Sequence, residues 1–265
     1  MITIHDRLMR YKGNFKSNHK ARKCLDGETK TVKKKNSDTK LMLSNPGIGN
    51  AIEIITGTAG CGTGVKALRH CFKSLLDKHT DAHFTGRLMQ VVTEIYHRDL
   101  EGKTGKKSIY FSKEKPFLGT LFFHSSEKLI DMILHQFDCC HTIARDQATL
   151  SLTELDIKFV YIPRGASHYR ILHHLSIISD YTYSEINQRF EPVSLLNTLN
   201  AVAYSKYTPV GVPLTDEIVV SLPVNDNLPD TVSVIQCVGI EYYRKSGLEN
   251  FMINRGGSVK VYEVF

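Results

Sequence analysis

The sequence lacks long apolar runs and paired-cysteine motifs. No window approaches 18 consecutive apolar residues, so no transmembrane helix is expected. Residues Met1–Arg7 carry no apolar signal core, which argues against secretion. The six cysteines form no C-x-x-C pair, and their spacing suits neither a zinc finger nor a disulfide framework. We therefore expect reduced thiols in a cytosolic compartment.

Apolar and charged residues are present in the proportions of a globular protein. They make up 42% and 23% of the 265 residues, which suffice for one large domain or two modest ones. The sequence contains no internal repeat.

Positive charge is concentrated at the N-terminus. Residues 1–40 hold 12 Lys and Arg against 4 Asp and Glu, a net charge of +8, whereas the whole chain carries +7. Such a segment indicates a polyanionic partner, and nucleic acid is favoured over a membrane because no apolar face accompanies the charge. The candidate RNA-binding residues are Arg22, Lys23, Lys33, Lys34 and Lys35. The alternative is a solubilising or nuclear-import-like tail.

The pattern of apolar residues predicts an α+β protein in three parts. These are a basic segment (1–40), a mainly helical domain (41–146) and an α+β domain with a twisted antiparallel sheet (147–265). Helices are predicted in four places: 64–76, 82–96, 125–137 and 183–199. A turn-rich boundary is predicted at 44–50, and strands at 108–111, 149–157, 158–162, 169–178, 217–222, 232–238 and 258–264.

Three other motifs suggest chemistry and have simpler explanations. Gly57–Lys66 lacks the Gly-Lys-Ser/Thr ending of a phosphate-binding loop, so a flexible glycine-rich start to a helix explains it better. Cys139, Cys140 and His141 suggest a thiol nucleophile beside a base, or packing at the end of a helix. His173 and His174 would point to opposite faces of a strand, so no protein metal site is expected.

The segment from Ile162 to Ile171 carries the main chemical candidates. His168 can attack phosphorus or move a proton, and Arg164 and Arg170 can hold phosphate oxygens. The small Gly165 lets a phosphate approach the backbone, in a predicted hairpin loop over Arg164–Ser167. The pattern favours phosphoryl transfer. The alternative is an ordinary surface turn.

Two segments of the chain resemble the rotavirus non-structural protein two family. The run LFFHSSEKLIDMIL from Leu121 is similar to a helix start in that family, and GASHYRI from Gly165 is similar to its histidine-triad-like motif, H-G-K-G-H-Y-R-I. Their order and approximate separation agree. The resemblance covers roughly residues 65–190.

This resemblance implies a histidine-triad-like α+β domain, a nucleotide cleft and a ring-shaped homo-octamer that binds single-stranded RNA. It implies Mg²⁺-dependent hydrolysis of nucleoside triphosphates and RNA 5′-triphosphate ends, with His168 phosphorylated and Arg170 beside it. It also implies replication inclusions (viroplasm) in the host cytoplasm, with the viral polymerase and another inclusion protein as partners. Mg²⁺ would arrive with the nucleotide phosphates.

The motif departs from the family at two positions. Arg164 stands where the family has its first histidine, and Ala166 where it has lysine; Lys158 is the candidate for a further family lysine. The first hypothesis is therefore an RNA-binding nucleoside triphosphatase and RNA triphosphatase acting through His168. The second is a non-enzymatic RNA-binding assembly protein, and the third is a thiol-dependent enzyme built on Cys139 or Cys140.

Overall fold

The computed structural model describes residues 46–124, 137–157, 162–224, 227–253 and 257–265. In these ranges four helices come first: α1 (Pro46–Cys71), α2 (Lys73–His79), α3 (Phe84–Arg98) and α4 (Lys115–Gly119). Eleven strands follow within the described residues: β1 (Phe137–His141), β2 (Gln147–Leu155), β3 (His168–Ser179), β4 (Tyr181–Ser184), β5 (Arg189–Pro192), β6 (Asn200–Tyr204), β7 (Thr208–Pro209), β8 (Leu214–Ser221), β9 (Val232–Ser246), β10 (Glu249–Met252) and β11 (Ser258–Val264). The protein is of mixed α+β class, as predicted.

The long strands β3 and β9 form the centre of a curled antiparallel sheet. They pair from His168↔Tyr243 to Ser179↔Val232. The other edge of β9 pairs with β10 and β11, and the other edge of β3 pairs with β6 and β7. A second sheet has the strand order β1-β2-β8, and β4 and β5 form a separate hairpin.

The two faces of β3 contact different layers, because successive side chains point to opposite sides of a strand. Tyr169 and Ile171 pack in a cluster with β2 and β8 of the smaller sheet. Leu172 and Ile178 pack in a second cluster with residues of α1, α2 and α3. The main sheet therefore lies between helices and a smaller sheet.

The helix predicted over 64–76 corresponds to the last part of α1 and the first part of α2, and the helix predicted over 82–96 corresponds to α3. The apolar spacing of α3 buries one face, formed by Phe84, Leu88, Val91, Val92, Ile95 and Tyr96. The predicted strands at 149–157, 169–178, 217–222, 232–238 and 258–264 correspond to β2, β3, β8, β9 and β11.

The turn-rich boundary and the glycine-rich helix start are wrong, since residues 46–50 of the first and the whole of Gly57–Lys66 lie inside α1. The glycines allow close packing instead. A Cβ on Gly60 would lie 2.5 Å from the Phe190 ring, and one on Gly64 would lie 2.9 Å from Val92. The predicted strand at 108–111 is only an isolated bridge between Ile109 and Tyr181.

The helix predicted over 183–199 is also wrong, because its first part forms the β4–β5 hairpin. Tyr181 and Phe190 of this hairpin are buried among helical residues, so tertiary packing overrides the local pattern. Most of the helix predicted over 125–137 lies outside the described residues, and its last residue, Phe137, begins β1.

Candidate functional site

Strand β3 places His168 and Arg170 on one face of the main sheet. They are two residues apart, so their side chains project on the same side, toward the helices. At His168 both edges of the strand are occupied, by Pro209 on one side and Tyr243 on the other. The predicted hairpin, in which β3 returns along the preceding segment, is therefore wrong. The partner of β3 is a distant strand, β9.

A tight turn brings the chain into β3. The N–H of Ala166 donates to the carbonyl of Pro163 at 3.0 Å, and Gly165 has a φ of +84°, in the left-handed region that favours glycine. A Cβ on Gly165 would lie 2.4 Å from a guanidinium nitrogen of Arg244. Arg164 is exposed on this turn. The glycine thus lets Arg244 lie directly against the backbone.

His168 is half-exposed, and its orientation is set by Ser167. The Oγ of Ser167 lies 3.0 Å from Nδ1 of His168 and accepts the backbone N–H of Lys245 at 2.8 Å. A hydroxyl bonded to Nδ1 directs the other ring nitrogen, Nε2, away from Ser167. Nε2 is then the atom that a substrate would meet.

Arg170 is held by an acidic and aromatic environment. Its Nε donates to Oε2 of Glu241 at 2.7 Å. Its guanidinium carbon lies 3.7 Å from the ring centre of Tyr204 and 5.1 Å from those of Tyr207 and Tyr243. Much of its positive charge is therefore balanced within the protein, which weakens its role as a free phosphate clamp.

Glu241 is the buried anion beneath Arg170. Burial alone would raise its pKa, but hydrogen bonds from His79, Tyr243 and Arg170 lower it to about 2. The bond to His79 measures 3.0 Å and ties the end of α2 to β9. Burial and the bond to Glu241 also raise the pKa of Tyr243. Glu241 thus stays ionised and fixes the cation above it.

The surface around His168 contains residues that the sequence analysis missed. Arg244 and Lys245 are exposed at the end of β9, and Tyr207 is 41% exposed beside them. The Tyr207 ring packs edge-on against Tyr243, with ring centres 4.9 Å apart. The sequence contained a signal for these residues. Two aromatic and then two basic residues, Tyr242 to Lys245, follow an apolar run. We call Arg164, His168, Tyr207, Arg244 and Lys245 the β3–β9 end surface.

Several predicted site residues lie outside the described residues. Lys158 is one of them, as are the N-terminal candidates Arg22, Lys23, Lys33, Lys34 and Lys35. Of the predicted phosphate-binding set, the structure brings together His168, Arg170, Gly165 and Arg164 at one end of β3.

The cysteine pair lies in a strand and not at the end of a helix. Cys139 Sγ accepts a hydrogen bond from Gln236, and burial raises the pKa of its thiol to about 11. Cys140 is exposed on the other face of β1. The His141 ring stacks on Phe265 with centres 3.9 Å apart. A protonated, partly buried thiol is a poor nucleophile, so Cys139 offers little support for thiol catalysis.

His173 and His174 lie on opposite faces of β3. His173 Nδ1 bonds the carbonyl of Ile218 in the smaller sheet at 3.0 Å, whereas His174 packs against Phe72 of the helical layer. Within the described ranges, no group of three or more His, Cys, Asp or Glu side chains is placed to hold a metal.

No protein-family model, curated protein or solved structure matches this chain. Among the described residues, no helix is both long and apolar enough to cross a membrane. The β3–β9 end surface and the motif resemblance are therefore the two features of this chain that bear on its function.

Proposed function

We propose that the protein binds single-stranded RNA on the β3–β9 end surface. The observation that carries the proposal is the exposed Tyr207 ring, backed by Tyr243 and Arg170, with two exposed cations, Arg244 and Lys245, directly after Tyr243 in β9. Every base has a flat face that can stack on a tyrosine, and nearby cations attract the phosphate backbone. Such a surface binds a strand without reading its sequence.

The residues beneath Tyr207 hold its ring in a fixed position, which favours stacking of a base on it. Arg170 is fixed by Glu241, so its guanidinium supports the aromatic cluster. A ring held on two sides loses little freedom when a base stacks on it, which favours binding. The buried Glu241 repels phosphate weakly, because Arg170 balances its charge.

The experiment measures the affinity of the full chain for a labelled oligouridine by fluorescence anisotropy. Tyr207→Ala should weaken binding about tenfold, since stacking contributes about 1–3 kcal/mol per base. Phe122→Ala is the matched control, because Phe122 is also 41% exposed and also lies against an arginine. Equal affinity of the Tyr207→Ala variant and the wild type would refute this surface.

A second candidate function is nucleoside and RNA 5′-triphosphate hydrolysis through a phosphohistidine. It is favoured by the bond between Ser167 and Nδ1 of His168, which directs Nε2 toward a substrate. Nε2 would attack the γ-phosphorus, forming an N–P bond and releasing the diphosphate; water would then hydrolyse the phosphohistidine. Arg164 and Arg244 would hold the phosphoryl oxygens, and Mg²⁺ would enter as part of the nucleotide substrate.

Label transfer from γ-labelled nucleoside triphosphate tests this second function. The wild type should acquire an acid-labile covalent label that is absent from His168→Gln. His83→Gln, at an exposed position before α3, should label as the wild type does. A wild type that neither labels nor releases phosphate is a binding protein only.

We extend the proposal to the setting that the motif resemblance implies. That setting is a histidine-triad-like fold in a homo-octamer, within replication inclusions of the host cytoplasm. The viral polymerase and another inclusion protein are the proposed partners. The similarity of GASHYRI to the family motif supports this extension.

A further inference from the structure

The hairpin formed by β9 and β10 ends beside the β3–β9 end surface. The last three residues of β9, Arg244, Lys245 and Ser246, are all exposed. A two-residue turn over 247–248 follows, and its glycine has a φ of +63°. Ser246 pairs with Glu249 as the outermost pair of the hairpin. Because the end of a short edge strand opens more easily than a central strand, the Ser246 hydroxyl is accessible to an enzyme.

The structure distinguishes Ser246 from a serine with a similar sequence pattern. In the described part of the chain, Ser246 and Ser108 each follow a pair of consecutive basic residues. The backbone N–H of Ser108 donates to Asp99 at 2.6 Å, and Lys106 before it is paired with Glu185. Ser108 is only partly exposed, whereas Ser246 and both of its preceding cations are exposed. An enzyme with an acidic groove can therefore bind the cations before Ser246.

We propose that Ser246 is phosphorylated by a serine/threonine protein kinase that prefers basic residues before its acceptor, and that the phosphate switches off RNA binding. Oγ of Ser246 would attack the γ-phosphorus of the kinase-bound ATP and form an O–P bond. The bond from that phosphorus to the β,γ-bridging oxygen breaks, ADP leaves, and the hydroxyl proton passes to the catalytic base of the kinase. The modification stands on the hairpin geometry, and its effect on RNA rests on the proposed function.

The phosphate would act on the cations of the β3–β9 end surface. It carries a charge of about −1.5 to −2 at pH 7. Ser246 and Arg244 are two residues apart in β9, so they lie on one face of the strand, whereas Glu249 lies opposite Ser246. The carboxylate repels the phosphate, which therefore turns toward Arg244.

Arg244 is available for this new ion pair. Its Nε donates to the carbonyl of Gly165 over a long distance of 3.4 Å, and a guanidinium–phosphate pair is the stronger interaction. The phosphate also lies next to Lys245, which directly precedes Ser246 in the chain. Both cations would then be balanced within the protein, and fewer contacts to the phosphates of a nucleic acid would form.

The first experiment treats the full chain with the catalytic fragment of protein kinase C, which prefers acceptors beside basic residues, and labelled ATP. Peptide mass spectrometry should locate a phosphate on Ser246, and Ser246→Ala should lose the label from that peptide. Ser108→Ala is the matched control and should be labelled as the wild type is. An unmodified Ser246 in the treated wild type, or a label on Ser108 in its place, would overturn the proposal.

The second experiment measures the affinity of the treated protein for oligouridine. Phosphorylated wild type should bind about tenfold more weakly than untreated protein, because two cations are offset, and phosphatase treatment should restore binding. Ser246→Ala that has been treated with the same kinase should keep the affinity of the untreated wild type, which excludes an effect of phosphates elsewhere in the chain.

The Tyr207→Ala variant separates failure of this switch from failure of the RNA surface. Unchanged affinity of the phosphorylated wild type would overturn the switch, and weaker binding by Tyr207→Ala would then show that the RNA surface itself is correct. If Tyr207→Ala bound as the wild type does while phosphorylation of Ser246 weakened binding, the proposed stacking would be wrong and the switch would be supported.

Discussion

Glu241 holds together the polar contacts beneath the β3–β9 end surface. It is fully buried and accepts hydrogen bonds from His79, Arg170 and Tyr243. Glu241→Gln removes the charge that balances Arg170, so we expect a loss of about 3 kcal/mol in the free energy of unfolding. Urea denaturation measures this loss. Glu191→Gln, which breaks an exposed pair with Arg189, should leave the unfolding midpoint unchanged.

The same carboxylate predicts a dependence on acid. Its folded-state pKa is about 2, below the ordinary value of 4.5, so the folded protein binds fewer protons than the unfolded chain in that window. Its contribution to stability is complete above pH 4.5 and is lost as the pH falls toward 2. Between pH 4.5 and 2, the free energy of unfolding should fall less steeply for Glu241→Gln than for the wild type. Parallel curves for variant and wild type would contradict this assignment.

His174 makes a separate contribution to the pH dependence of stability, and this contribution begins at a higher pH. Its ring is fully buried, and burial lowers its pKa from 6.5 to about 3 against a smaller opposing effect of the Cys71 backbone. Because the unfolded chain binds the proton first, stability falls by about 1.4 kcal/mol per pH unit as the pH drops through this window. His174→Leu should make that slope shallower, and the remainder comes from His173, whose pKa is also lowered by burial. His83→Leu, at an exposed position, should retain it.

The glycines of α1 show how one element packs. Gly64→Ala would bring a Cβ within 2.9 Å of the buried Val92, and we expect a loss of about 1–2 kcal/mol in stability. Gly62→Ala meets open space and should stabilise by about 0.5–1 kcal/mol, since alanine is the better helix former. Thermal unfolding of the two variants compares them directly. Equal effects would mean that α1 does not pack closely on α3.

Local pattern predicted some elements and missed others for physical reasons. The apolar spacing in α3 and the alternation in β2 are local signals, and both elements are present. Glycine has poor helix propensity, and the close packing of Gly57, Gly60 and Gly64 on neighbouring side chains compensates for it in α1. The pairing of β3 with β9 joins segments about 60 residues apart, which local periodicity cannot specify.

Only those residues of the candidate site that lie on a single strand could be related to one another from the sequence. His168 and Arg170 lie on one face because they are two residues apart in β3. Glu241, Tyr207 and Arg244 reach the same place through other strands, so the sequence did not connect them. One clue was available: Glu241 is a charged residue that follows a long apolar run, and buried charges require partners.

The layered fold brings separate cationic regions to different parts of the molecule. The β3–β9 end surface lies where the central strands end, whereas Lys66, Arg69 and Lys73 line a groove along α1 and α2. Helix α2 connects them, because Lys73 and Leu76 line the groove and His79 bonds Glu241. Total charge alone therefore cannot identify the RNA surface, and the position of each cation must be tested.

The salt dependence of RNA binding shows whether the position of individual cations or the total charge of the protein determines where RNA binds. Each phosphate contact to a single strand contributes a slope of about −0.7 in a log–log plot of affinity against salt. Arg244→Gln combined with Lys245→Gln should make the slope shallower by about 1.4, because two contacts are lost. Lys103→Gln with Lys113→Gln changes the net charge equally, at exposed residues on the loop between α3 and α4, and should keep the wild-type slope. If both double variants changed the slope equally, binding would follow net charge, and the β3–β9 end surface would not be where RNA binds.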